Sequence, residues 1–279
     1  GGVQSRFDYA YDAAERVTAM NTVDGEWRYE YDAANRITEV TYPDGHTQSF
    51  TYDPAGNRLS SSGGASPETY TAGVLNQYLQ AGEVTFTYDA NGNRASRTDG
   101  SGTTTYQYDY DNRLTRVETS RGDVWEYTYN ALGQRTSITH NGEITRFAPG
   151  LEGWGGAIAE FDASGNLLAS NVVGNGLVAR INGTGTAEYY AFDADGNTAQ
   201  LTDASGAITA EYQYDPFGQV LSSAKQGTGT VYQTGGQGGA TSDGSGTVYN
   251  GRTHTDTQTN QTLTPTPGQG TQGDYHPPK

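Results

Sequence analysis

The chain has 279 residues, with 39 Gly, 21 Tyr, no Cys and a formal charge of −16. The missing cysteines exclude disulfides, thiolate nucleophiles and Cys-based zinc sites, and the scattered His46, His140, His254 and His276 lack metal-ligand spacing. A pI near 4.4 argues against a nucleic-acid partner, and a mean hydropathy of −0.73 leaves no run of the roughly 18 apolar residues that a membrane helix needs.

Gly1-Gly2-Val3-Gln4 is not a secretory leader; it reads as the interior of a longer protein. An aromatic-Asp pair then recurs at Tyr11-Asp12, Tyr31-Asp32, Tyr52-Asp53, Tyr88-Asp89 and Tyr108-Asp109. Weaker copies follow at Tyr129-Asn130, Phe161-Asp162, Phe192-Asp193 and Tyr214-Asp215. Most steps are 20 to 22 residues; three are 31 to 36, which predicts an inserted or degenerate unit in each long gap. After each aspartate come turn formers and then arginine, as in Asp12-Ala-Ala-Glu-Arg16 and Asp53-Pro-Ala-Gly-Asn-Arg58. Asp can accept hydrogen bonds from backbone N–H groups two residues on, and Gly and Asn tolerate positive φ. Each aspartate therefore opens a hairpin turn, and the arginine after it (Arg16, Arg36, Arg58, Arg94, Arg113) opens the returning strand.

Before the aspartates, apolar residues alternate: Trp27, Tyr29, Tyr31; Val84, Phe86, Tyr88; Trp125, Tyr127, Tyr129. Period-2 alternation of aromatic and β-branched residues predicts half-buried strands. Asp24-Gly25, Asp44-Gly45, Gly122-Asp123 and Asn141-Gly142 supply a second turn midway through the units. The expected fold is all-β: consecutive antiparallel hairpins forming one long sheet strip over residues 1–224. A single hairpin is marginal in water, so each unit must be covered by its neighbours.

The pattern Tyr-Asp-x-x-Gly-Asn-Arg, repeated about every 20 residues, resembles the YD repeats of the RHS family, which includes bacterial RHS proteins, toxin-complex cage components and teneurins. Leu75-Asn76-Gln77-Tyr78 and Tyr214-Asp215-Pro216-Phe217-Gly218-Gln219-Val220-Leu221 are similar to RHS segments. The resemblance implies a strip that spirals into a hollow YD-repeat shell around a cargo or behind a displayed domain. Residues 225–279, rich in Gly, Thr and Gln, resemble a degenerate RHS C-terminal core: Asp256 through Pro265, Thr266 and Pro267 aligns with D-P-x-T-G-R-F-L-T-P-D-P. Self-cleaving relatives place an aspartate at each end of that motif. Here Asp256 fills the first position and Thr266 the second, so the carboxylate pair that acid–base work requires is missing.

Calcium ligation by the repeat aspartates would need a glycine-dense nonapeptide period. The arginines could be a ligand row, or could pair with Asp and stack on Tyr across strands. Asp109 and Asp111 form the closest acidic pair, but inside a turn, which disfavours a glycosidase. The sequence thus predicts a non-enzymatic, cofactor-free scaffold, secreted or at the cell surface. Its partners would be other parts of a longer chain, an enclosed cargo or copies of itself. The rivals are a glycan-binding adhesin and a self-processing cage.

Overall fold

The computed structural model describes residues 6–63, 68–150, 156–174, 176–193, 196–217 and 220–224, together with four short strand segments between 240 and 263; side chains are described as far as Phe217. Every regular element among the described residues is a β-strand. The chain divides into two compact units, Gly1–Thr87 with Gly268–Lys279, and Tyr88–Pro267.

In the first unit, the strands Asp8–Tyr11, Val17–Thr22, Gly25–Tyr31, Ile37–Thr41, Thr47–Tyr52 and Arg58–Ser62 each pair antiparallel with the next in chain order. Glu68–Ala72, Tyr78–Ala81 and Val84–Tyr88 continue the series. This run fills the first long gap in the repeat, between Tyr52 and Tyr88, with a hairpin turning at Gly73–Gln77. The gap holds a degenerate unit that keeps the backbone geometry without the Tyr-Asp pair.

The second unit repeats the scheme from Arg94–Asp99 through Gly102–Tyr108, Leu114–Glu118, Val124–Tyr129, Arg135–His140 and Glu143–Pro149. It continues antiparallel through Ala157–Phe161, Leu167–Gly174, Gly176–Asn182, Ala187–Phe192, Thr198–Thr202 and Ile208–Tyr214 to Val220–Ala224. A separate four-stranded antiparallel sheet spans Ala240–Ser242, Thr247–Asn250, Thr253–Asp256 and Gln261–Leu263.

One face of each strip carries the core. In the first unit the buried side chains include Val17, Trp27, Tyr29, Ile37, Val40 and Phe50. Register explains the set: Tyr29 lies opposite Val40, and Tyr31 opposite Ile37, so aromatic and β-branched residues alternate along one face. In the second unit Tyr106, Leu114, Val117, Trp125, Tyr127 and Ile138 form one cluster, with Tyr108, Tyr129 and Phe147 against it. Trp125 also stacks on His140 of the neighbouring strand at 4.3 Å.

Candidate functional site

The repeated turn is the feature that concentrates the chain's polar chemistry. With X as the aspartate, the N–H of X donates to the carbonyl of X+4 and the N–H of X+3 donates back to the carbonyl of X; for Asp32 these are 2.9 and 3.1 Å. The same pair recurs at Asp12, Asp53, Asp89, Asp109, Asn130, Asp162, Asp193 and Asp203. This is a turn followed by a left-handed residue at X+3, with a β-bulge in the adjoining ladder. Register shifts fall accordingly beside Tyr11, Tyr31, Tyr52, Tyr108, Tyr129 and Tyr214. Position X+3 is glycine at Gly56 (φ 92°), asparagine at Asn35 (φ 64°), and glutamate at Glu15 (φ 61°).

Asp12, Asp32, Asp53, Asp89, Asp109, Asp162 and Asp193 each use both carboxylate oxygens. In Asp12, Oδ1 accepts the N–H groups of Ala14 (2.8 Å) and Arg16 (3.0 Å), and Oδ2 accepts Arg16 Nε at 2.7 Å. Asp32 and Asp109 repeat the arrangement with Arg36 and Arg113, each through Nε at 2.7 Å. Where X+4 is asparagine its amide substitutes: Asn57 Nδ2 donates to Asp53 Oδ2 at 2.8 Å and Asn93 Nδ2 to Asp89 Oδ2 at 3.0 Å. Backbone donation from Arg16 is the largest cause holding the Asp12 carboxyl below its ordinary range, and the Asn57 amide does the same for Asp53. Asp215 keeps the opening step, accepting the Phe217 N–H at 2.8 Å.

The arginines form two classes, which corrects their treatment as one series. Arg16, Arg36 and Arg113 stand at X+4, whereas Arg58 and Arg94 stand at X+5, because Asn57 and Asn93 take the X+4 place. The X+4 arginines pair with their aspartates and lie over the tyrosine of the following turn: Arg16 over Tyr31 and Arg36 over Tyr52 at 4.8 Å, Arg113 over Tyr129 at 5.1 Å. Arg58 instead lies over Tyr70 at 4.8 Å and Phe50 at 5.6 Å.

Two further kinds of bond join some turns to the next, although the hydroxyl of Tyr108, at X−1 of the Asp109 turn, is buried with no hydrogen-bond partner. The tyrosine hydroxyl at X−1 donates to the carbonyl of X+5 in the preceding turn: Tyr31 to Val17, Tyr52 to Ile37 and Tyr129 to Leu114 at 2.7 Å, Tyr214 to Thr198 at 2.8 Å. Where Ala72 occupies X−1, Tyr78 reaches the same neighbour, its hydroxyl accepting the Arg58 N–H at 2.7 Å. Burial is the main cause that pushes the Tyr52 hydroxyl up to about 12, so it stays protonated and able to donate.

The second bond runs from the X+4 side chain to the next turn. Arg16 Nη1 donates to Asn35 Oδ1 at 3.1 Å, Asn57 Nδ2 to Asn76 Oδ1 at 3.1 Å, and Asn93 Nδ2 to Asn112 Oδ1 at 2.8 Å. Arg16 and Arg36 also donate to the carbonyls of Asp32 (3.3 Å) and Asp53 (2.8 Å). Sequence reasoning missed this latch. Its signal was present, since Asn35, Asn76 and Asn112 each follow their donor by 19 residues.

No group of three or more His, Asp or Glu able to hold a metal occurs among the described residues, and no helix there is long and apolar enough to cross a membrane. Asp109 and Asp111 both engage Arg113, at 2.7 and 3.1 Å. In the C-terminal motif, Asp256 ends the strand Thr253–Asp256 and its side chain is outside the described residues, as are Pro265, Thr266 and Pro267 altogether.

A curated relative, the tRNA3(Ser)-specific nuclease WapA of Bacillus spizizenii, is 29% identical over 115 residues, which are 40% of this chain and 5% of that protein. The chain therefore spans a small fraction of the length of the relative it matches. A structure of a Photorhabdus luminescens Tc holotoxin pore is 15% identical, covering 96% of this chain and 18% of that one at a TM-score of 0.41. A TcdB2–TccC3 crystal structure is 16% identical, covering 92% and 18% at 0.40. The RHS Repeat family matches residues 25–47, 31–66, 88–123, 108–145 and 192–231, together about half of the sequence, and the chain belongs to that family.

Proposed function

We propose that the chain is a non-enzymatic scaffold segment of a secreted or cell-surface RHS protein, whose stacked hairpins form part of a shell that encloses or displays the rest of a longer chain. One observation carries this reading: the residues that would otherwise do chemistry or bind ligands are consumed by joining one repeat to the next. Turn aspartates are saturated by backbone and X+4 donors, and tyrosine hydroxyls are bonded to neighbouring carbonyls. Several rings that a sugar-stacking platform would use are buried, Tyr29, Tyr42, Tyr106 and Tyr127 among them, whereas Tyr110 stands alone in a turn, fully exposed. The proposed shell function would arise from this neighbour-on-neighbour cohesion.

Electron microscopy of the purified chain, combined with a glycan array and intact mass after prolonged incubation, tests the proposal. Curved strips or closed particles, no glycan signal and one unchanged 29.7 kDa species are the expected results. A saturable glycan hit lost on removing a tyrosine ring would replace the scaffold with an adhesin. Two fragments meeting near Asp256 would make the chain self-processing.

A further inference from the structure

In the second unit the two faces of the sheet exchange character between Ala157 and Phe192. The register carries the core face from Trp125 and Tyr127 through Ile138 to Thr145 and Phe147, and Phe147 lies opposite Glu160. From there the same face holds Glu160, Asn171, Arg180 and Glu188, until Tyr190 and Leu201 restore the apolar row. Strand order is the cause. The Asp89, Asp109 and Asn130 turns are two strands apart, which returns each to the same edge of the sheet. Three strands, Arg135–His140, Glu143–Pro149 and Ala157–Phe161, separate the Asn130 turn from the Asp162 turn. Asp162 therefore opens its turn at the opposite edge, and the register sets Ala159 and Phe161 before it on the outer face, level with Ala148 and Arg146.

The outer face gains the apolar character that the core face loses. Between Gly102 and His140 it is charged, with Arg116 opposite Gln107 and Glu126. Across the four strands from Ala157 to Phe192 it presents Ala159, Ser170, Ile181 and Ala187 in one row, and Val172, Ala179 and Tyr189 in the next. None of these carries a charge, and Val172 and Tyr189 are 43% and 42% exposed on either side of the buried Ala179.

The two rows match each other in size. Along each strand a small residue neighbours a larger one: Ser170 and Val172, Ala179 and Ile181, Ala187 and Tyr189. A two-fold axis running between the rows turns one row onto the other, so every larger side chain of one copy meets a small one of its partner. Sheets packed face to face interdigitate in this way, and a two-fold interface requires a surface complementary to itself. Charge favours the same contact, because copies that each carry −16 approach most easily where neither presents charge. Strand and residue spacings give a patch of about 15 by 20 Å per copy, which belongs to the weak, exchanging class of interface.

We infer that the outer face of the strands between Ala157 and Phe192 is a self-association surface whose occupant is a second copy of this chain, the two-fold axis seating Ile181 of each copy over Ala179 of the other. The inference goes beyond the scaffold reading and would hold for a chain that encloses nothing.

Sedimentation equilibrium of the 279-residue chain between about 10 μM and about 1 mM spans the range in which so small an interface dissociates, and should show a monomer–dimer equilibrium. Val172→Glu and Val172→Lys should each weaken dimerisation about tenfold, and mixing the two variants should recover most of the loss. Val178 serves as the control: it is 46% exposed on the same hairpin but on the opposite face, next to Ala179 in the strand. Val178→Glu should leave the equilibrium unchanged. A chain that stays monomeric throughout would overturn the inference, as would a dimer indifferent to residue 172 or weakened equally by Val178→Glu.

Discussion

Two stretches of the second unit share a backbone but not a core. From Gly102 to His140 the strands contribute Tyr106, Val117, Trp125, Tyr127 and Ile138 to one cluster, and Tyr129 bonds back to Leu114. From Ala157 to Asn182 the turn at Asp162 is intact, its Oδ1 accepting the N–H groups of Ser164 and Asn166 at 2.8 Å. Yet Phe161 has no hydroxyl to reach backward, and Asn166 is exposed where Asn93 is fully buried. The buried side chains there are small, Ala169 and Ala179 with Leu177, while Ile158, Leu168, Val172 and Val178 remain exposed. The Arg180–Glu160 pair, 2.8 Å apart, also occupies this stretch. The difference teaches that the turn is specified within five residues, while cohesion is a separate property carried by the aromatic ladder and the latches.

The largest test of that separation removes a ladder residue. Trp125→Ala should lower unfolding free energy by about 3–5 kcal/mol in urea titration, because the indole is buried and stacked on His140. A loss under about 1 kcal/mol would show that the ladder is not the source of cohesion.

Acid probes the turns collectively. The Asp12, Asp53, Asp162 and Asp203 carboxyls are all held below their ordinary range. The largest causes are, in order, the Arg16 N–H, the Asn57 and Asn166 amides and the Ser205 hydroxyl. A carboxyl with a lower pKa folded than unfolded gives stability that is complete above the unfolded value of about 4 and lost as pH falls through the folded one. The melting temperature should therefore fall between about pH 5 and pH 2, with structure in 157–182 lost before that in 102–140. A flat profile would contradict the assignment.

Single turns give smaller effects. Asp109→Ala removes acceptors for the Asp111 and Arg113 N–H groups and for Arg113 Nε, and should cost about 1–2 kcal/mol. Asp162→Ala, in an exposed turn whose X+4 residue Asn166 is followed one repeat later by Ile181 and not by a tyrosine, should cost less; equal losses would mean that the contact of Arg113 with the Tyr129 ring contributes nothing. Smallest is Tyr129→Phe, which deletes the bond to the Leu114 carbonyl and should cost about 1 kcal/mol with the ring packing retained. Calorimetric melting of the pair against the parent chain reads both.

The legibility of the molecule follows the same division. Turns, strand alternation and family were readable because Asp32, Asn35 and Arg36 lie within one five-residue turn, and Trp27, Tyr29 and Tyr31 sit on one strand. The degenerate hairpin at Gly73–Gln77 was visible as a long step between Tyr52 and Tyr88, although not as a turn, since its Tyr-Asp pair is gone. What the sequence concealed depends on groups a repeat apart: the contact of Arg16 with Asn35 and the hydroxyl of Tyr31 on Val17. The split of the arginines into X+4 and X+5 classes lay in a one-residue offset, Asn57 and Asn93 taking the place that Arg16 and Arg36 hold in their own turns.

Hydrogen exchange resolved by residue tests the central claim most directly. If ladder and latches supply the cohesion, amides of the paired strands between Thr103 and His140 should exchange at least about tenfold more slowly than those between Leu167 and Asn182, although both sets are hydrogen-bonded in antiparallel ladders. Equal protection in the two stretches, or greater protection in the second, would contradict it.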